Sequence, residues 1–369
     1  MFDPVTMART PKDRAVAAFE RSFGGAPARL VQAPGCRRPG DTMNRTLQLR
    51  HPHGIGLVIA TRGAAWLSCE VPLRDGMRRS VILPRAALSD AQADSAYVGA
   101  TIGRYANRIA GARIRLGDST WPLVRNSGSR HQLHGGPHGF HDREWHVEAA
   151  DATSVHLSLV SPDGDQGYPG ELHAQVVYRL LDALTIEMEA TATVTAASPV
   201  CLTNHAYFQL DGRVGDARAH RLRIASRHFV PVDGELIPRG ALADVEATGF
   251  DFRGAKTLQY DWLRGEQQRL AGGYDHAFLL EERCAGMRSP AEVLTSADGA
   301  VSMEIRTSLP ALQLYAGQYL EGFGAPCPGI ALEPQFLPDS PNHPEWPQPS
   351  CWLHPGERYR HTIRYRFRV

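Results

Sequence analysis

The chain has 369 residues, with 40 Lys and Arg set against 39 Asp and Glu, and it carries 35 Gly and 26 Pro. A hydrophobic fraction of 43% supplies a sizeable core and excludes intrinsic disorder. A net charge of +1 with no basic stripe excludes a phosphate-tracking surface, so no nucleic-acid partner is expected.

In chain order, residues 11–23 carry Ala15, Val16, Ala17, Ala18 and Phe19 among charges, which predicts one short helix. Asp13, Arg14, Glu20 and Arg21 interrupt this apolar stretch, so a secretory segment is not expected. Residues 24–43, with Gly24, Gly25, Pro27, Pro34, Gly35, Pro39 and Gly40, read as a linker. From about residue 44 onward, short alternating β-rich segments dominate. Val155–Val160 alternates at period two, and Asp163-Gly164-Asp165-Gln166-Gly167 then forces a turn. Gln175–Leu180 and Thr185–Ala190 repeat the pattern, and Tyr359–Arg368 sets basic side chains on one face and mostly aromatic ones on the other. Strands do not alternate with long helices, which excludes a doubly wound α/β sheet. The expected architecture is all-β: one large, mostly antiparallel β-sandwich over 45–369, preceded by an extension over 1–44.

The longest uncharged stretch, about 190–210, contains Pro199, Asn204 and His205, so no membrane span is expected. Cys36, Cys69, Cys201, Cys284, Cys327 and Cys351 are widely spaced with no C-x-x-C pair, which reads as free thiols in a reducing, cytoplasmic compartment. There is no G-x-G-x-x-G after a strand, no Walker A loop, no H-E-x-x-H and no G-x-S-x-G. Cys201 and His205 do not form a thiol–imidazole pair, because four residues of strand separate them by about 13 Å. A buried structural Cys201 is expected.

Four constellations carry chemistry. Gly103-Arg104-Tyr105-Ala106-Asn107-Arg108-Ile109 sets guanidinium and amide groups side by side between a turn and a strand, a donor set suited to a neutral polyhydroxyl ligand. The alternative is an arginine cluster that only packs the surface. His131-Gln132-Leu133-His134-Gly135-Gly136-Pro137-His138-Gly139-Phe140-His141 holds four histidines, but no Cys, Asp or Glu inside it completes a familiar metal spacing. Its Gly and Pro residues predict an irregular loop that brings His134 near a pocket, with solvated histidines as the alternative. In Leu202-Thr203-Asn204-His205-Ala206-Tyr207-Phe208-Gln209-Leu210, a strand would place Thr203, His205, Tyr207 and Gln209 on one face and apolar residues on the other. Glu333 follows Ile330, Ala331 and Leu332 and is expected to emerge from a buried strand whose pairing Pro334 ends. Such a carboxylate has its pKa raised toward the range of a general base, and the alternative is a rim glutamate paired with an arginine. Together these groups suggest proton transfer in a neutral substrate without a cofactor or metal.

These motifs, with Asp163–Gly170, Pro231–Pro238, Tyr274-Asp275-His276-Ala277-Phe278, Leu312-Gln313-Leu314-Tyr315 and Glu333-Pro334-Gln335, appear in an order that resembles the aldose 1-epimerases, or galactose mutarotases. The resemblance spans about residues 45–369. It implies a β-supersandwich that interconverts the α and β anomers of free hexoses such as glucose and galactose. By the same resemblance, Glu333 is the general base at O1 and His205 the general acid at O5, while His134 hydrogen-bonds near O5. Arg108, Asn107, Asp275, Gln313 and Tyr207 then line the site and hold hydroxyls. A small sugar is the implied partner, with a monomer or weak homodimer expected. His131-Gln132 and Phe140-His141-Asp142 depart from the family pattern at the pocket rim. One rival reading is an epimerase of hexose 6-phosphate, for which Arg104, Arg125 and Arg130 are the basic candidates. The others are a non-catalytic sugar-binding sandwich and a glycoside hydrolase that pairs Asp275 with Glu333.

Overall fold

The computed structural model describes Leu30–Val31 and residues 45–369 except Ser127. Its named strands pair antiparallel, with an isolated parallel bridge between Tyr105 and Cys201 and three α-helices of four to six residues among the described residues. The helix expected at 11–23 lies outside the described residues. Within the expected linker, Leu30–Val31 departs from loop structure: it forms a short strand against Thr46–Arg50, with Leu30 opposite Leu47.

The largest sheet has nine strands, in the order His146–Ala150, Ser154–Ser161, Leu172–Asp182, Thr185–Val194, Tyr359–Arg368, Ser302–Thr307, Glu292–Thr295, Arg221–Ile224 and Lys256–Thr257. The period-two pattern read from the sequence sets its faces. On Tyr359–Arg368, Tyr359, Ile363, Tyr365 and Phe367 are buried while Arg360, Arg364, Arg366 and Arg368 face solvent. A second sheet of six strands runs Tyr207–Phe208, Ile330–Gln335, Ala311–Tyr315, Asp275–Leu280, Ser226–Phe229 and Ala243–Asp244. One face of it, with Phe208, Ile330, Leu332, Leu312, Leu314 and Phe278, joins the main apolar core together with Tyr365 and Met303 of the larger sheet. Burial of this aliphatic and aromatic surface is the main stabilising term.

Register then fixes the opposite face. Tyr207 stands opposite Ala331, Ala331 opposite Tyr315, Gln313 opposite Glu333, and Asp275 opposite Tyr315. Side chains at i and i+2 share a face, so Tyr207, Glu333, Gln313, Tyr315 and Asp275 are set together on the side away from the core. Ala331, Ala277 and Ala311 lie among them and keep that face low.

Two local expectations need correction. Pro334 does not end the pairing, since the strand runs through Pro334 and Gln335 with Leu312 opposite Pro334. On its other side only Ile330 and Ala331 are laddered, so a missing N–H there is tolerated. The Thr203–Gln209 stretch is not one strand. Thr203–Asn204 pairs with Thr101–Ile102, and the chain then crosses to pair Tyr207–Phe208 with Ile330–Ala331. His205 and Ala206 occupy the crossing, and every residue from Val200 to Leu210 is buried, so no polar face is segregated from an apolar one.

Candidate active site

The backbone brings four segments to this face. Arg108–Ile109 pairs with Gln132–Leu133, so the chain after Leu133 delivers His134 beside Asn107. Asn107 and His134 both have left-handed backbones, with φ of 69° and 54°. Asparagine adopts this region more readily than most residues. The pair is locked twice: His134 N–H donates to the Asn107 carbonyl at 3.1 Å, and Asn107 N–H donates to His134 Nδ1 at 3.1 Å. His205 is anchored by its backbone, donating to the Ala100 carbonyl at 2.8 Å and accepting from Gly99 N–H at 2.9 Å.

Glu333 and His205 are 1% and 4% exposed, and Glu333 Oε1 lies 3.6 Å from His205 Nε2. Burial pushes the Glu333 carboxyl well above its ordinary value; the nearby Asp275 charge adds to this and Arg108 opposes it. Burial pulls His205 down to about 4. The two shifts carry the partners past one another, so a single proton shared by the pair rests on the Glu333 carboxyl with His205 neutral. Glu333 Oε2, His205 Nδ1 and Thr203 Oγ1 are buried without a hydrogen-bond partner. An acceptor left this way at a site is open to a ligand donor.

Asp275 receives a hydrogen bond from Gln313 Nε2 at 2.5 Å and lies 3.6 Å from Arg108 Nη2. Its pKa is raised by burial against the opposing pull of Arg108 and Gln313. Gln313 Oε1 has no partner, so its amide presents an acceptor beside Glu333. The rings of His134 and His205 are 5.3 Å apart edge to face, and Tyr207 lies 4.9 Å from His205. Tyr207 donates its hydroxyl to the Ala96 carbonyl at 3.1 Å, so its ring forms a wall and its oxygen is left as an acceptor.

Potential ligand atoms of His134, His205 and Glu333 lie within 4.8 Å of one another, a metal-like spacing. The tautomer of His134 opposes that use. Its Nδ1 accepts the Asn107 N–H, so the neutral ring carries its proton on Nε2, and burial holds the ring neutral. His134 is thus a fixed donor rather than a ligand.

All eight expected site residues, Glu333, His205, His134, Arg108, Asn107, Asp275, Gln313 and Tyr207, are brought together. Others named in the sequence are not. Arg104 is 2% exposed and donates to the carbonyls of Ser161, Pro162, Pro169 and Gly170, so it staples the Asp163–Gly170 loop. Gln209 donates to Gly215 and Pro328 carbonyls, away from the site. Cys201 is buried, its Sγ accepts from Phe336 N–H at 3.3 Å, and burial pushes it up to about 12, the inert thiol expected. The five described cysteines are free and buried. Of the loop histidines, His138 is exposed beside Asp142, and His131 Nδ1 accepts from Gly111 N–H.

A cleft of about 690 Å³ lies beside Arg108 and is lined by Asp94, Tyr97, Asn126, His131, His141, Asp142 and Glu235 among others. Tyr97 was not singled out in the sequence, whereas His141 belongs to the four-histidine loop. Tyr97 packs 4.6 Å from the His134 ring and His141 packs 4.7 Å from Tyr97. Tyr97 stands in no pattern that marks it, because a six-residue helix leaves no periodicity to read.

The fold and site define a β-sandwich enzyme that performs acid–base chemistry on a small hydroxyl-rich molecule. The sequence matches the aldose 1-epimerase family over residues 45–366, and the chain belongs to that family. It is 44% identical over 330 residues to the aldose 1-epimerase of Escherichia coli K12, spanning 88% of this chain and 95% of that protein. It is 36% identical over 323 residues to the galactose mutarotase of Homo sapiens, spanning 84% and 90%. Among solved structures, the galactose 1-epimerase of Lactobacillus acidophilus NCFM superposes with a TM-score of 0.78 at 25% identity, covering 93% of this chain and 99% of that one.

Proposed function

We propose that the interconversion of α and β anomers of free hexoses runs in this chain on Glu333 and His205, with His134, Arg108, Asn107, Asp275, Gln313 and Tyr207 holding the sugar. The observation that carries the reading is the buried carboxylate 3.6 Å from a buried imidazole on a face of open hydrogen-bonding groups. In the productive state Glu333 is ionised and His205 protonated. Glu333 takes the proton from O1 while His205 gives its proton to O5, and the C1–O5 bond breaks to leave the open-chain aldehyde. Rotation about C1–C2 turns the other carbonyl face toward O5. On closure His205 takes the O5 proton back and Glu333 returns its own to O1. Acid and base exchange roles on each turnover, and the productive state is reached when the proton resting on Glu333 passes to His205. The Nε2–H of neutral His134 supplies a fixed donor near O5.

Polarimetry on α-glucose, α-galactose and glucose 6-phosphate tests the reading. Glu333→Gln and His205→Asn should each lower turnover at least about 10²-fold. Near-normal rates in both variants would overturn the mechanism and leave a sugar-binding sandwich. A strong preference for the phosphate ester would favour the hexose 6-phosphate reading, and release of sugar from an aryl glycoside the hydrolase one. Of the three basic candidates for the phosphate reading, Arg104 is buried among carbonyls, Arg130 is tied to Glu235, and Arg125 is exposed and outside the lining of the cleft, which carries three carboxylates. A catalytic unit over 45–369 with an extension over 1–44, a monomer or weak homodimer, and a cytoplasmic setting belong to the same proposal. The family match starting at residue 45 supports the first, and no helix among the described residues is long and apolar enough to cross a membrane.

A further inference from the structure

Tyr97 stands where a glycine is expected. Helix Asp90–Ser95 starts at Ser89, whose side chain accepts from Gln92 N–H, and it ends at Ala96. The next residue is Tyr97, with φ of 55°. Tyr97 N–H donates to Asp94 O at 3.1 Å and Val98 N–H to Ala93 O at 3.0 Å, the two bonds of a Schellman ending. The left-handed position of that ending suits glycine, because a Cβ there crowds the backbone. Strained non-glycine backbone of this kind clusters at functional sites.

The strain has a visible return in where the ring goes. Tyr97 packs edge to face on His134 at 4.6 Å and on His141 at 4.7 Å, and it lies 6.0 Å from His205. The segment behind it is fastened to the acid: Gly99 N–H donates to the His205 carbonyl, His205 N–H to the Ala100 carbonyl, and Tyr207 OH to the Ala96 carbonyl. Moving Tyr97 would therefore move both imidazoles' surroundings. Tyr97 lines the cleft together with Arg108 and Asn126. Among the described residues its recorded partner is Asn126 Nδ2 at 3.5 Å, which donates to it, so the hydroxyl's own proton is unspent.

We propose that Tyr97 is a positioning residue for the epimerase reaction: its ring holds His134 and His205 at their working angle, and its hydroxyl donates to a sugar hydroxyl in the cleft. This rests on the epimerase reading above. The ring's share of the work belongs to kcat and the hydroxyl's to KM, and a merely structural tyrosine would separate neither.

Two variants of the full chain test it by polarimetry with galactose. Tyr97→Gly relieves the backbone and removes the ring; kcat should fall at least about tenfold, since small misplacement of catalytic groups costs rate steeply. Tyr97→Phe keeps the ring; kcat should stay within about twofold while KM rises at least about threefold. Circular dichroism and a cooperative thermal transition establish that each variant is folded, and Tyr97→Leu replaces the glycine variant if that one does not fold. A ringless variant with wild-type kcat overturns the proposal. So does a phenylalanine variant that loses as much kcat as the glycine one, or one whose KM is unchanged. A wild-type chain with no mutarotation sinks the epimerase reading itself, whereas a wild-type rate with insensitive Tyr97 variants sinks this proposal alone.

Discussion

Each of the two large sheets buries a glutamate, and the two have different surroundings. Glu333 lies in the six-stranded sheet at 1% exposure, and Glu292 in the nine-stranded sheet at 0%. Burial raises both carboxyls well above their ordinary range. Glu333 has an imidazole at 3.6 Å, a carboxylate and an arginine in its field, and donors and acceptors on the same sheet face. Glu292 points inward between Ile224 and Ile305, with neither oxygen hydrogen-bonded. A buried carboxyl with a raised pKa is thus not a site by itself. The proton partner and the open polar face make it one.

The sharpest break of this comparison is kinetic. Glu333→Gln should cost at least about 10²-fold in kcat, while Glu292→Gln leaves the polarimetric rate unchanged. Equal losses in both would erase the distinction. The arginines offer a parallel contrast in stability. Arg104→Met removes the donor to four carbonyls, two of them in fully buried bonds, and should destabilise the fold by about 3 kcal/mol in urea unfolding, with the rate per folded molecule preserved. Smaller is the gain from Glu292→Gln, about 1–3 kcal/mol at neutral pH. Its sign follows from linkage. The folded pKa is raised, so stability is fully present below the ordinary 4.5 and is lost as pH rises through the folded value. Wild type and variant should therefore agree near pH 4 and diverge as pH rises; a pH-independent difference would contradict this. The smallest effect is on the pH profile. Asp275 helps to raise the Glu333 pKa, so Asp275→Asn should move the acid limb of kcat/KM to lower pH. An upward move would show that Asp275 acts on Glu333 in some other way.

Much of the fold was legible because a half-buried strand writes its burial as alternation. Tyr359–Arg368 and Ser154–Ser161 show the pattern read from their sequences. Glu333 was legible too, as an acid after three apolar residues. His205 was singled out on the assumption of a single continuous strand, whereas the chain changes sheets there and still sets its imidazole beside Glu333. Tyr97 was invisible, because its role depends on a left-handed turn at the end of a six-residue helix.

The sequence by itself determined the all-β class, the inward and outward faces of the long strands, and the chemical inventory of the site. These follow from local periodicity and residue type. Only the tertiary structure set one member of each like pair on the polar face and the other elsewhere: Arg108 near Asp275 but Arg104 among carbonyls, and Glu333 beside His205 but Glu292 in the apolar interior. The physical reason is that a side chain's partners, solvation and proton affinity come from segments distant in the chain, and register between those segments is a property of the folded sheet.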